Sequence, residues 1–210
     1  MTSSTQVYSG ELRDTAIISI NIQKAFQHRS NIDAIEARVR SGELGEIDGA
    51  RPCLKECTAG IDLLKAGSAL GSREVLNVLS QLRLMRAGYL NMIMKEDSSH
   101  TVILAASTQQ FEDSTAVIDL APAHSTPEMV RCARNNRMFV VGYLKNSLKV
   151  PSLMPTFIRE KKIALEDSKI QVADPDATAE QKAFAAKFAA DLKDVVRVFL
   201  FVFIDYFVMI

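Results

Sequence analysis

TAEQKAFAAKFAADLKDVVRVFLFVFIDYFVMI, residues 178–210, is the part of the chain around which any fold must be arranged. Thr178 and Gln181 have the spacing of a capping box, in which each side chain reaches the backbone N–H of the other residue. Between Val195 and Ile210 only Arg197 and Asp205 are charged. The apolar residues keep the spacing of one helical face, and they are Phe184, Phe188, Leu192, Val195, Val196, Phe199, Phe203, Tyr206, Phe207 and Ile210. The pattern favours a helix that becomes apolar on all sides beyond Val198.

Two other structures are compatible with residues 195–210. A strand is one, because Val, Ile, Phe and Tyr suit a pleated, buried surface. A membrane span is the other, but a helix of this length at about 1.5 Å per residue falls short of a hydrocarbon core of about 30 Å. The segment therefore lies in the protein core, in a subunit interface or, least in keeping with its length, at a membrane. For a self-associating chain we predict that the contact residues are Phe199, Phe203, Phe207 and Ile210.

The composition is that of an ordinary globular protein, with 48% apolar and 24% charged residues among 210. The formal net charge of zero gives no overall attraction to nucleic acid or membrane, so any such affinity must come from local clustering. Three cysteines without close pairing, and an N-terminus without a signal pattern, indicate a reducing, intracellular (cytoplasmic) location. We predict a single domain over residues 1–210, with a possible division into a helical half (24–97) and a mixed half (98–210).

The periodicity along the chain predicts both helices and strands. Alternation of apolar and polar residues over 15–23 indicates a half-buried strand, and short apolar runs indicate strands at 101–106, 116–120 and 138–144. Between the predicted strands 101–106 and 116–120, the polar segment STQQFEDST (residues 107–115) is typical of a loop. Ser72 is placed to cap a helix, and Ser125 with Glu128 forms a second capping box. The prediction is an α+β fold, mostly helical, with a small mixed β-sheet; no internal repeat is identified.

Motifs of catalysis, metal binding and cofactor binding are missing from the sequence. The chain has no HExxH or GxSxG motif, so we assign no catalytic residue and no cofactor. Cys53 and Cys57 would share a helical face, but Cys132 and the histidines do not complete the spacing of a zinc site, and small buried thiols are common in cores. We therefore predict no metal site.

The remaining signal is electrostatic. Between Met129 and Arg159 there are six basic residues and no acidic one: Arg131, Arg134, Arg137, Lys145, Lys149 and Arg159. Phe139, Tyr143 and Phe157 are interleaved with this run, which is a pattern that binds phosphates and stacks bases, or that attracts an acidic lipid surface. The same pattern also fits a solvated face whose aromatic residues turn into the core.

Two hypotheses of function follow. The first is a non-enzymatic structural or interaction protein that self-associates and presents its basic face to RNA or to an acidic membrane surface, with no integral membrane span. Small viral matrix and nucleocapsid proteins share this general profile, although no motif of theirs is present. The alternative is a small α+β enzyme or ligand-binding protein, with a pocket at the strand ends lined by His100, Asp119 and His124.

Overall fold

The computed structural model describes the backbone of residues 4–67, 72–97, 99–124, 126–147 and 149–193. Within these ranges it describes the side chains of residues 17–65, 72–97, 99–120, 126–146 and 149–192. The described backbone forms seven α-helices, and a 3-10 turn, Pro151–Leu153, precedes the sixth. The helices are α1 (Ser4–Arg40), α2 (Glu46–Gly67), α3 (Arg73–Glu96), α4 (His100–His124), α5 (Pro127–Ser147), α6 (Met154–Ala173) and α7 (Ala179–Lys193).

The prediction of an α+β fold was wrong, because the described ranges contain only helices and no sheet. All four predicted strands are helical: 15–23 lies in α1, 101–106 and 116–120 both lie in α4, and 138–144 lies in α5. Short apolar runs rich in β-branched residues do not distinguish a strand from a buried helical turn. In this chain the packing of neighbouring helices overrides the local β preference.

The polar segment 107–115, which suggested a loop, is the middle of α4. Ser107, Gln110, Asp113 and Ser114 are buried, so these polar side chains occupy the inner face of the helix. The hydroxyl groups of the two threonines in the segment are satisfied locally, since Thr108 donates to the Leu104 carbonyl and Thr115 to the Phe111 carbonyl, each at 2.8 Å. Such i−4 hydrogen bonds allow threonine to remain within a helix.

Two of the helix caps predicted from the sequence are confirmed. The side chain of Ser72 accepts a hydrogen bond from the Val75 backbone N–H and caps α3 as predicted. The Thr178–Gln181 capping box is also confirmed, with reciprocal hydrogen bonds of 2.9 and 3.2 Å. At the start of α5 the accepting hydroxyl belongs to Thr126, which bonds the Met129 N–H at 3.3 Å. The cap therefore lies one residue later than the Ser125–Glu128 box implied.

Each helix packs mainly on the helix before it and the helix after it in the chain. Because the connections are short, neighbouring helices run antiparallel. Buried apolar residues form three clusters in succession: the first lies among α1, α2 and α3, the second among α3, α4 and α5, and the third extends from α5 to α7 with Phe111 of α4 at its side. The architecture is a linear array of helical hairpins.

The helices recur at a regular interval, which reveals an internal repeat that the sequence analysis did not identify. Helices α2 to α6 begin at residues 46, 73, 100, 127 and 154, so each starts 27 residues after the one before. In this register the α3–α4 and α5–α6 hairpins share sequence 54 residues apart: Gly-Tyr-Leu occurs at 88–90 and 142–144, and Glu-Asp-Ser at 112–114 and 166–168. The aspartates of the second motif, Asp113 and Asp167, are both buried.

Gly60 lies at a close approach of α1, α2 and α3. A Cβ atom at this position would be 2.8 Å from Cδ1 of Leu82 on α3 and 3.4 Å from Cβ of His28 on α1. Leu82 is fully buried, so its side chain has little room to move away. Glycine at position 60 therefore permits this packing.

We predict that Gly60→Val lowers the free energy of unfolding by about 1–3 kcal/mol, because the added methyl groups overpack the first cluster. Urea denaturation followed by circular dichroism measures the change. Ala105→Val is the matched control, since Ala105 is exposed on α4 and should cost only the difference in helix propensity, about 0.5 kcal/mol. Equal losses in the two variants would contradict a tight crossing at Gly60.

Candidate binding surface on the α5–α6 hairpin

The six residues predicted to bind anions all belong to the α5–α6 hairpin, but the structure divides them into two groups. Arg131, Arg134, Arg137 and Lys145 lie on α5, Lys149 lies in the connection, and Arg159 lies on α6. One group faces the neighbouring helix and is neutralised there. The other faces solvent.

Arg134 and Arg137 are committed to contacts within the hairpin. Arg134 donates to Asp167 and Arg137 donates to Glu160, each at 2.7 Å. The Glu160 side chain is only 2% exposed, and the Arg137 guanidinium also lies 4.7 Å from the centre of the Phe111 ring. Both arginines are therefore already paired with carboxylates of α6, and their binding to an external anion stays a prediction. The sequence did not reveal this, because the neutralising acids lie on the following helix.

An ion pair of the same kind joins α3 to α4. Arg86 donates to both oxygens of Asp113, at 2.6 and 2.7 Å, and the two side chains are 6% and 1% exposed. Burial raises the pKa of the Asp113 carboxyl above its usual value, although the hydrogen bonds from Arg86 act in the opposite direction. A carboxylate removed so completely from water depends on its arginine partner.

Lys145, Lys149 and Arg159 of the second group, together with Lys161 and Lys162, form what we call the basic patch. Lys145 extends across the Phe157 ring, with its ammonium group 4.9 Å from the ring centre, and Lys149 is exposed in the connection. Arg159 reaches Glu160 at 3.3 Å while its side chain stays 64% exposed. Lys162 is exposed and Lys161 partly so. Arg131 is partly exposed and lies near the beginning of α5, outside the basic patch.

The aromatic residues interleaved with the basic run turn away from solvent. Phe157 is buried in the third cluster, and Phe139 packs against the Phe188 ring with the ring centres 5.9 Å apart. Tyr143 is partly buried. The apolar side chains that α6 does expose are aliphatic: Met154, Ile158, Ile170 and Val172. The exposure of these four residues was not predicted from the sequence, because helical periodicity alone does not assign their positions to solvent.

The strand ends at which we predicted an enzyme pocket, lined by His100, Asp119 and His124, are not present in the described ranges. His100 begins α4 and Asp119 lies near the other end of the same helix, so at about 1.5 Å per residue the two are roughly 28 Å apart. No strand ends exist in the described ranges to bring them together. Asp119 is exposed, and the His124 side chain lies outside the described residues, as do the predicted self-association residues Phe199, Phe203, Phe207 and Ile210.

The cysteines are distributed between clusters and are poorly placed for chemistry. Cys53 and Cys57 are buried in the first cluster and Cys132 in the second. Burial raises the pKa of Cys53 to about 11 and that of Cys57 further, so at neutral pH both remain thiols rather than nucleophilic thiolates. Within the described part of the chain, no three His, Cys, Asp or Glu side chains are grouped so as to hold a metal ion.

Comparison with known proteins returned no relative: no protein-family model, no curated protein and no solved structure matches this chain. Of the helices in the described ranges, none combines the length and the apolar character that crossing a bilayer requires.

We predict that Asp113→Ala lowers the free energy of unfolding by about 3–5 kcal/mol, since it leaves the buried charge of Arg86 without a partner. Urea denaturation at neutral pH provides the measurement. The control is Glu96→Ala, which breaks the exposed pair between Glu96 and Arg51 and should cost less than about 1 kcal/mol. If Asp113→Ala were as mild as the control, the α3–α4 ion pair would not be a structural requirement.

Proposed function

We propose that this protein is a non-enzymatic interaction protein, built as an array of helical hairpins, that binds an anionic partner through the basic patch. The supporting observation is the charge of the α5–α6 surface. From Met129 to Leu165 the sequence contains one acidic residue, Glu160, and that residue is buried and paired with Arg137. The solvent-facing side chains described in this stretch therefore carry positive charge without an exposed carboxylate to offset it.

The neighbouring helix strengthens the asymmetry. Helix α4 contains no lysine or arginine, and it exposes Glu112 and Asp119. A protein with zero net charge can thus present a locally positive surface, which attracts anions over distances of about one Debye length, 8–10 Å. Helical arrays also offer extended surfaces that suit binding rather than catalysis.

Self-association is the second part of the proposal, and its support is the sequence of residues 195–210. A segment with fourteen apolar residues and only Arg197 and Asp205 charged requires burial, within the chain, against another copy or at a membrane. We propose that Phe199, Phe203, Phe207 and Ile210 contact another copy of the chain.

We predict that the double charge reversal Arg159→Glu with Lys162→Glu weakens binding to heparin, used as a generic polyanion, by at least about tenfold at low salt. The retained affinity should also depend less on salt concentration, because fewer counterions are released. Elution from a heparin column and fluorescence anisotropy with labelled heparin both report the change.

The matched control is Lys24→Glu with Lys187→Glu, which reverses the same number of exposed positive charges on α1 and α7. If the control pair weakened binding as much as the α6 pair, net charge rather than the basic patch would govern the interaction. If the parent chain did not bind heparin at any salt concentration, a general affinity of the basic patch for polyanions would be excluded.

We predict that the full chain is an oligomer at both low and high salt, and that a chain ending at Asp194 is a folded monomer. Apolar contacts explain the expected insensitivity to salt. Light scattering gives the mass, and circular dichroism confirms that the shortened chain is folded. A monomeric full chain together with an unfolded shortened chain would show that the segment belongs to the core, and self-association would be ruled out.

A further inference from the structure

Helix α6 exposes an apolar stripe that the packing of the array does not cover. Positions 154, 158, 165 and 172 follow one another at intervals of four, seven and seven residues, which places them on one side of a helix. The exposed fractions of Met154, Ile158 and Val172 are 43%, 46% and 42%, while Leu165 is partly buried against the third cluster. The exposed part of the stripe therefore lies at the beginning of the helix, at Met154 and Ile158, and at its end, at Val172.

Lysines border this stripe on both sides. At 100° per residue, Lys161 falls on one flank of the line from Met154 to Val172, and Lys162 and Lys169 fall on the other. The exposed acid on the helix, Glu166, lies 3.1 Å from the Lys169 ammonium group and is offset by it. At the beginning of α6 the basic patch adds Lys145 and Lys149 from the α5 side.

From this geometry we infer that the anionic partner is an acidic lipid bilayer surface, on which α6 lies parallel to the membrane plane. The inference rests on the proposed function, because it names the partner of the same basic patch. Met154 and Ile158 enter the boundary between headgroups and acyl chains, and the flanking lysines stay at the level of the lipid phosphates. An apolar stripe bordered by lysines is the arrangement of helices that bind bilayers at the interface.

Nucleic acid fits this surface less well. Single-stranded nucleic acid is bound by exposed aromatic rings on which bases stack, together with positive charge. Here Phe157 is buried and the Phe139 ring packs against Phe188, whereas the exposed apolar side chains are methionine and isoleucine. Aliphatic side chains have no planar face for a base, but they suit the acyl boundary of a bilayer.

The experiment uses the full chain with vesicles of phosphatidylcholine alone and of phosphatidylcholine mixed with phosphatidylserine, and it measures bound protein by flotation. We expect binding to the mixed vesicles only, with a loss of affinity of about tenfold or more in Met154→Ser with Ile158→Ser. Because the lysines remain, this variant should bind heparin like the parent chain. The control is Leu104→Ser, which removes an equally exposed leucine (47%) from α4 and should leave vesicle binding unchanged.

A second measurement exploits the absence of tryptophan from the chain. In Ile158→Trp the single indole should shift its emission to the blue on adding mixed vesicles, and lipids brominated on their acyl chains should quench it. In Leu104→Trp the emission should not change. This comparison reports insertion at α6 directly, and it does not depend on the behaviour of residues 195–210.

The outcomes separate this inference from the proposed function. Heparin binding without binding to the mixed vesicles would overturn the lipid inference and leave the anionic partner in place. Equal binding to both kinds of vesicle, or vesicle binding that the Met154→Ser with Ile158→Ser variant does not weaken, would also overturn it, because another apolar segment would then be responsible. The absence of binding to heparin and to vesicles would overturn both.

Discussion

The pairing of buried arginines with carboxylates from the next helix is the constraint on which the hairpins depend. Asp113 is almost wholly removed from water and has Arg86 as its bidentate partner, and Glu160 relies in the same way on Arg137. Buried ion pairs add little net stability compared with apolar contacts, since desolvation offsets their attraction. Their geometry is nevertheless demanding, because a shift of α4 along α3 would leave a buried charge unpaired. The pairs therefore act on helix register more than on overall stability.

The same pairing shapes the outer surface. The α5–α6 hairpin has more basic than acidic residues, and two of its acids, Asp167 and Glu160, pair with Arg134 and Arg137 inside the hairpin. The other cations of the hairpin are wholly or partly exposed, although Arg159 also reaches the buried Glu160 and Lys169 pairs with the exposed Glu166. On α6 they lie beside Met154 and Ile158, so that charge and exposed apolar surface coincide on one helix. This coincidence, rather than the number of basic residues, gives the proposed binding surface its chemical character.

The internal repeat, and the helical character of residues 107–115 within it, were not predicted from the sequence. Motifs that recur at 54 residues, Gly-Tyr-Leu and Glu-Asp-Ser, are too short to stand out until the helix starts at intervals of 27 residues supply the alignment. The second motif had even suggested a loop in its first copy, because a polar segment usually faces water. In the fold, Asp113 and Ser114 face inward, where a neighbouring helix provides the partner of Asp113. Because the inner face of α4 is polar here, its residues do not show the apolar spacing by which a helix is recognised in a sequence.

Local interactions are what the sequence by itself determined. The caps at Ser72 and Thr178 involve residues only three apart, so their hydrogen bonds could be read directly from spacing. The positive charge of residues 129–159 was also predictable, because it follows from composition. The burial of Phe188 and Leu192 on α7 was predictable from their helical spacing. Only the tertiary structure decided that 101–106, 116–120 and 138–144 are helical, and which arginines pair with carboxylates of a neighbouring helix. Both depend on partners about 20 to 35 residues away, such as Asp113 for Arg86 and Asp167 for Arg134, and no local pattern identifies such partners.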